Sequence, residues 1–274
     1  MSRKRYPQKD PVVSILIPTY NRKSLLPRTL ESVLTESYKR IEVVLVNDAG
    51  EDVQEIVDKF NDPRIKYFQN DENKDLAGTR NVALTKSTGD YICLLDDDDI
   101  HLPHTLEFRM YMMKKLGADI VYTRALQDIW EKRSFKDGEG YISVHKQLYW
   151  DSPFDKDLIL VQNIAPCCCP LFSRKSWDES GNYMFDETLS TSEDWDFWVH
   201  LSRKFDFYEL KLIDCECSIR KDMTQMTGSR KGYTTHLPYL YKKWRGFAKN
   251  LSWVTEHQNN SLKARGLNPK DYEL

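Results

Sequence analysis

Apolar and polar residues in the first half of the chain alternate in blocks of two lengths. VVSILIP (Val12 to Pro18), IEVVLVN (Ile41 to Asn47), RIKYFQ (Arg64 to Gln69) and DYICLL (Asp90 to Leu95) are short runs rich in aliphatic and β-branched residues. Such runs are characteristic of strands buried on both faces of a parallel sheet. Between them apolar residues recur at helical spacing: Leu25, Leu26, Thr29, Leu30, Val33 and Leu34; then Val53, Ile56, Val57 and Phe60; then Ala77 to Leu84. The repetition predicts an α/β fold with a doubly wound, mostly parallel sheet, whose ligands bind outside the carboxyl ends of the strands. That rule brings three polar clusters to one edge: Thr19, Tyr20 and Asn21 after the first strand, Asp48 after the second, and Asp96, Asp97, Asp98 and Asp99 after the fourth.

Beyond about residue 120 the pattern changes. ADIVYTRAL predicts a strand, and the charged, aromatic stretch from Trp130 to Trp150, with Gly138 and Gly140, predicts a hairpin or a mobile loop. NIAPCCCPLFSR reads as a strand broken by Pro166 and Pro170. TSEDWDFWVHLSRKF reads as a helix capped by Ser192, burying Trp195, Trp198, Val199 and Leu201 to Ser202, with Glu193, Asp194 and Asp196 in its first turn. Leu237, Leu240, Tyr241, Trp244, Phe247, Ala248, Leu251 and Val254 repeat at helical spacing near the end. The chain therefore divides into an α/β half (1–120), a second half of the same domain (121–222) and a helical extension (223–274).

Composition narrows the function. A net charge of −2 gives no global basic field, so nucleic acid is not an expected partner. No apolar run approaches the ~20 residues that span a bilayer, and the first ten residues lack a signal's apolar segment, so a cytoplasmic location is expected. Residues 221–274 nevertheless hold ten Lys or Arg against four Asp or Glu, a local charge of +6. The tail is either a helix packed on the domain with a solvated basic face or a peripheral contact with the inner face of an anionic membrane. Six cysteines form no pair of CxxC knuckles and read as reduced, partly buried thiols. Neither GxGxxG nor a Walker loop follows the first strand.

Four consecutive carboxylates repel one another, and something must offset that. A hard divalent cation, Mn2+ or Mg2+, carrying a phosphorylated substrate is one candidate; an acidic turn capping a helix that starts near Pro103 is the other. Glu193, Asp194 and Asp196 equally admit plain macrodipole compensation. A second acidic cluster following a second apolar layer, however, suits a two-sided site with one cluster for metal and one for proton removal.

The ordered motifs PTYNR (Pro18 to Arg22), VNDAGED (Asn47 to Asp52), AGTRNVAL (Ala77 to Leu84), LLDDDD (Leu94 to Asp99) and SEDWDFWVHL (Ser192 to Leu201) resemble those of family 2 glycosyltransferases of the GT-A fold. The chain departs from the common pattern at Asn47 and Ala49, where an Asp and a Gly or Asn are frequent. The resemblance implies inverting transfer of a sugar from a nucleotide diphosphate to a hydroxyl, in bacterial cell-surface polysaccharide or glycolipid synthesis, with a glycan or lipid-linked acceptor. It implies a donor-binding set of Pro18, Thr19, Tyr20, Asn21, Arg22, Asp48, Arg80, Asp96 and Asp97, the Tyr20 ring lying against the base and Arg80 against the diphosphate. Asp48 would accept from the base's imide N–H, which favours UDP and admits dTDP. Asp98, with Asp96, would ligate the metal, Asp97 and Asp99 would orient ribose, metal water or backbone, and Asp194 would be the general base with Glu193 its rival. Asn163 and Trp195 would face the acceptor. An ion pair of Arg80 with Asp71, Asp75 or another surface carboxylate is its structural alternative. A catalytically silent nucleotide-sugar-binding module and a nucleotidyltransferase are the rival functions; the latter wants a Gly-rich basic loop that PTYNR does not supply.

Overall fold

The computed structural model describes residues 10–135, 138–149, 152–221 and 230–272, with the side chains of all of these but 138 and 230–235. The expected opening alternation is present: β1 (Val13–Thr19), α1 (Leu26–Leu34), β2 (Ile41–Asn47), α2 (Gln54–Phe60), β3 (Ile65–Gln69), α3 (Asp75–Lys86) and β4 (Tyr91–Leu94). All seven residues of β1 and of β2 are buried, because parallel strands covered by helices on both faces have no solvent side. There follow β5 (Ile100–His101), α4 (Thr105–Leu116), β6 (Ile120–Phe135), β7 (Gly138–Leu148), β8 (Pro170–Ser173), α5 (Arg174–Glu179), α6 (Glu193–Ser202), β9 (Tyr208–Arg220), α7 (Arg230–Ala248) and α8 (Ser252–Lys263).

One sheet runs in the order β3-β2-β1-β4-β8-β6-β9-β5, with β7 paired to β6. β3, β2, β1 and β4 are mutually parallel, and β8 joins β4 antiparallel, carrying the sheet into the second half of the chain. The strand order reverses at β1, whose neighbours are β2 and β4, and ligands of such sheets bind in the crevice at that reversal. β1 and β4 stay paired only as far as Leu16 and Leu94. Pro18, which has no N–H to give a ladder, lies beyond that last pair, where the missing donor costs nothing and the two strands part.

Some sequence expectations are corrected here and others are met. Residues 163–169 are irregular, and only Pro170–Ser173 form the strand expected across NIAPCCCPLFSR. The stretch from Trp130 is a long antiparallel hairpin, β6 with β7, shifted in register at Ile129/Trp130; residues 136–137 and 150–151 lie outside the described residues. Ser192 does not cap α6 with its side chain: its φ is +66° and no cap hydrogen bond forms. The tail packs on the domain through Leu237, Leu240, Tyr241, Ala248 and Val254, all buried. Tyr241 Oη donates to the Val161 carbonyl at 2.9 Å and Trp244 Nε1 to Asp196 Oδ1 at 2.9 Å, so polar atoms also fix it. Among the described residues no helix is long and apolar enough to cross a membrane.

Arg109 ties the second half together. It is fully buried, donates to both Asp214 oxygens at 2.7 and 2.9 Å, to Thr123 Oγ1 at 2.9 Å and to the Cys168 carbonyl at 2.9 Å. α4, β6, β9 and the irregular 163–169 segment thus share one cation. Arg109→Leu leaves the Asp214 carboxylate buried without its partner, and urea denaturation should show a loss of about 3–5 kcal/mol.

Candidate active site

The Asp run begins with a turn closed by the Asp99 N–H on the Asp96 carbonyl at 3.1 Å, which sends its four side chains in different directions. β5 then pairs Ile100 with Glu216 and His101 with Cys215, docking the run against β9. Ser218 secures it, its N–H donating to Asp99 Oδ1 at 2.9 Å and its hydroxyl to the Asp98 carbonyl at 2.5 Å.

Three arginines offset the repulsion. Arg22 Nη1 donates to Asp97 Oδ1 at 2.8 Å and Asp98 Oδ2 at 3.3 Å, while Thr19 Oγ1 donates to Asp97 Oδ2 at 2.7 Å. Arg220, from the end of β9, donates to Asp98 Oδ2 at 2.6 Å. Arg80 Nη2 donates to Asp96 Oδ1 at 2.6 Å and its Nη1 pairs with Glu193. The surface alternative for Arg80 is corrected: its residue is 1% exposed, and its partners are Asp96 and Glu193 rather than Asp71 or Asp75. Of Asp96, Asp97 and Asp98, Asp96 has the most open side chain, at 28% exposure against 3% and 7%.

Helix α3 also sets where α6 begins. Asn81, next to Arg80, donates from Nδ2 to the Phe185 carbonyl at 2.9 Å and accepts the Phe185 N–H at 2.8 Å. Glu193 is 3% exposed behind its arginine. Asp194 is half-buried, its Oδ1 accepting the Trp195 N–H at 2.7 Å and its Oδ2 accepting Asn163 Nδ2 at 3.1 Å. Asn163 therefore does reach the acidic pair. Trp195 does not line an acceptor surface: it is 2% exposed, with its indole N–H on the Ile159 carbonyl at 2.7 Å.

In the loops after β1 and β2, Tyr20 is 48% exposed and Asp48 4%. Asp48 Oδ1 accepts Asn70 Nδ2 and the Lys74 N–H, both at 2.8 Å. Asn21 Oδ1 accepts the Glu51 N–H at 2.9 Å, joining the β1 and β2 loops. Gly50 makes that approach possible, since a Cβ there would stand 2.9 Å from Tyr20 Cδ2 and from the Asn21 nitrogen. Ala49 takes a left-handed φ of +56°, a conformation that disfavours any side chain and accounts for the Gly or Asn common at this place in the resembling family.

Burial, partly offset by Arg22, pushes the Asp97 carboxyl up to about 6, and burial, partly offset by Arg80, pushes Glu193 up to about 7. Burial with Asp98 and Asp96 nearby drives Asp99 well above the usual carboxylate range, whereas burial at Asp96 is outweighed by Arg80, which holds it low. Asp194 is raised by burial. The residues admit a small hard cation: Asp96 is held ionised by Arg80 and is partly open, and one carboxylate oxygen each of Asp96 and Asp99 lies within 4.8 Å of the other and of the Cys167 thiol. Sequence reasoning missed Arg220, an arginine ending a strand of mixed polarity, and Cys167, whose Sγ lies 3.5 Å from Asp96 Oδ2. All six cysteines are free and buried; the thiols of Cys168, Cys169 and Cys215 lie within 4.8 Å of one another.

The profile of glycosyl transferase family 2 matches residues 14–181. The chain belongs to this family. It is 30% identical over 241 residues to the putative colanic acid biosynthesis glycosyl transferase WcaA of Escherichia coli K12, covering 86% of this chain and 82% of that protein. It is 26% identical over 234 residues to the GalNAc(5)-diNAcBac-PP-undecaprenol beta-1,3-glucosyltransferase of Campylobacter jejuni, covering 84% and 72%. It spans 34% of the length of an uncharacterized glycosyltransferase of Rickettsia bellii, to which it is 29% identical over 251 residues, covering 88% of this chain. S. aureus TarS in complex with UDP-GlcNAc superposes with a TM-score of 0.63 at 17% identity, over 83% of this chain and 65% of that one. The Pyrobaculum calidifontis mannosyltransferase PcManGT, in complex with GDP-Man and Mn2+, gives 0.66 at 15% identity over 94% and 73%. The fold is accordingly GT-A.

The raised carboxyls have a thermodynamic signature. A carboxyl with a folded pKa above its unfolded value near 4 takes up a proton on folding, so its contribution is full below pH 4 and is lost as pH rises through the folded value. Groups at about 6 and about 7 place the loss between pH 4 and 8. In EDTA the chain should melt at a lower temperature at pH 8 than at pH 5.5, and Asp97→Asn should flatten that slope in differential scanning calorimetry.

Proposed function

We propose that this chain transfers a sugar from a UDP-sugar to a hydroxyl acceptor with inversion, in the assembly of a bacterial cell-surface polysaccharide or glycolipid. The observation that carries the reading is the meeting of two acidic clusters, Asp96 to Asp99 and Glu193 with Asp194, through one buried arginine at the sheet's reversal point. WcaA's name places that relative in colanic acid biosynthesis, and the Campylobacter relative is named for an undecaprenol-linked substrate, which supports a lipid-linked acceptor. UDP-GlcNAc in TarS supports a uridine donor, and Asp48 and Tyr20 would meet the base.

Mn2+ or Mg2+ would be held by Asp98 with Asp96, and when bound would neutralise charge growing on the leaving diphosphate. Thr19 and Arg22 fix Asp97, and so set the wall against which the ribose would rest. Arg80 holds Asp96 ionised and Glu193 out of reach, leaving Asp194 as the carboxylate open to an acceptor. Asn163, donating to Asp194 Oδ2, would orient that carboxylate so that its other lone pair takes the acceptor proton during attack. Attack from the face opposite the leaving group inverts the anomeric carbon without a covalent intermediate.

The outer surface of the packed tail includes Tyr239, Phe247 and Trp253, 39–53% exposed, and the exposed Lys242, Arg245 and Lys249. We propose that this face touches the anionic membrane that carries a lipid-linked acceptor.

Three outcomes check the reading. Asp194→Asn should lose about 10^2-fold or more in kcat with little change in donor affinity; if Glu193→Gln is dead and Asp194→Asn nearly normal, the roles are reversed. Calorimetry with Mn2+ should find UDP at least about tenfold tighter than GDP, about 1.4 kcal/mol, and the opposite order refutes the uridine donor. Lys242→Glu, Arg245→Glu and Lys249→Glu together should abolish salt-sensitive sedimentation with anionic liposomes; unchanged sedimentation, or none by the wild type, leaves the tail a packing element only.

A further inference from the structure

We propose that Arg220 is a built-in competitor of the metal: it holds Asp98 while the site lacks nucleotide, and passes to the diphosphate when donor and cation enter together. The inference rests on the reading of this crevice as a nucleotide-diphosphate site, and concerns a residue beyond the 14–181 segment that the family profile matches.

Arg220 closes β9, where it stands opposite Trp130 in the β6 register. Its side chain is 4% exposed, its Nη1 lies 2.6 Å from Asp98 Oδ2, and its guanidinium lies over the Tyr141 ring at 6.0 Å. Arg22 reaches the same Asp98 oxygen at 3.3 Å, but holds Asp97 more closely, at 2.8 Å. The shorter contact on Asp98 therefore belongs to Arg220. A carboxylate oxygen at that distance from a guanidinium cannot become a close ligand of a divalent ion without crowding two cations together, and the buried setting weakens screening of that repulsion. A diphosphate changes the balance. Its oxygens match the guanidinium's planar fork, so Arg220 can exchange one carboxylate oxygen for phosphate while Asp98 turns to the metal.

The consequence is thermodynamic coupling. Metal alone must displace Arg220 without compensation, and UDP alone leaves diphosphate charge without its cation, whereas together each removes the other's cost. The coupling is reciprocal, so it is readable from either ligand. The position is a positioning one as long as Arg220 sits on Asp98, and it confers order: little metal without donor.

The test is Mn2+ binding to the full chain, read from the free-ion signal in electron paramagnetic resonance, with and without UDP. Wild type should bind Mn2+ weakly alone and about 100-fold more tightly with UDP. Arg220→Gln should bind Mn2+ alone about tenfold more tightly than wild type and lose about tenfold of the UDP coupling; Arg220→Lys, keeping the charge, should stay near wild type for Mn2+ alone. A residue with only a structural role would loosen Mn2+ when removed, so weaker Mn2+ binding by Arg220→Gln, or unchanged coupling, overturns the proposal. A wild type that binds UDP with Mn2+ but shows no such change on substitution refutes Arg220's part alone; a wild type that binds no UDP at any Mn2+ concentration refutes the functional reading as well. Should Arg220→Gln fail to fold by circular dichroism, nitrogen NMR of the wild-type guanidinium decides. The Arg220 Nη signals must shift with Mg2+ and UDP together and not with Mg2+ alone; signals unmoved by the pair overturn the hand-over.

Discussion

Six carboxylates converge where β1 and β4 part, and the electrostatics of that convergence govern the rest of the site. Three arginines, each from a different element, make the cluster tolerable: Arg22 from the β1 loop, Arg80 from α3 and Arg220 from β9. Like charges packed this closely in a buried setting tend to neutralise by taking up protons, and burial displaces Asp97, Asp99 and Glu193 upward even with the arginines in place.

Arg80 does the most with one side chain. By pairing with Asp96 and Glu193 it ties the Asp run to the start of α6, and it buries Glu193 while its neighbour Asp194 stays half-buried. Asn81 repeats the tie one residue on, through Phe185. The arginine–asparagine pair on α3 is thus a joint between the two halves of the domain, and family membership and site geometry meet there.

What could be read in the sequence divides along lines of range. β1, β2 and the Asp run follow from local pattern, since a fully apolar run ending in carboxylates reads as a buried strand with a polar end whatever it pairs with. The α3 and α6 helices were legible from local pattern too, through their helical spacing of apolar residues. Long-range pairings were not: Arg80 and Glu193 are 113 residues apart and Arg220 and Asp98 are 122 apart, and no spacing signals either. Arg220 carries no motif of its own; it ends a strand of mixed polarity, as arginines of surface strands do too. Helical periodicity rightly buried Trp195, whereas the acceptor-facing expectation came from the resemblance; the Ile159 carbonyl and Tyr241 meet that ring instead. Ser192 was misread because a serine before an acidic first turn resembles a cap, while its left-handed backbone turns the side chain elsewhere.

The central claim is that the crevice between β1 and β4 is a cation-assisted nucleotide-diphosphate site in which the Asp run changes partners. Anomalous X-ray diffraction at the manganese edge, on crystals soaked with Mn2+ and UDP, tests it most directly. The account predicts one strong peak between Asp98 and the diphosphate, with Asp98 turned from Arg220 toward the ion. A peak at the Cys168, Cys169 and Cys215 thiols instead, or UDP bound with Asp98 still on Arg220 and no ion beside it, would contradict it.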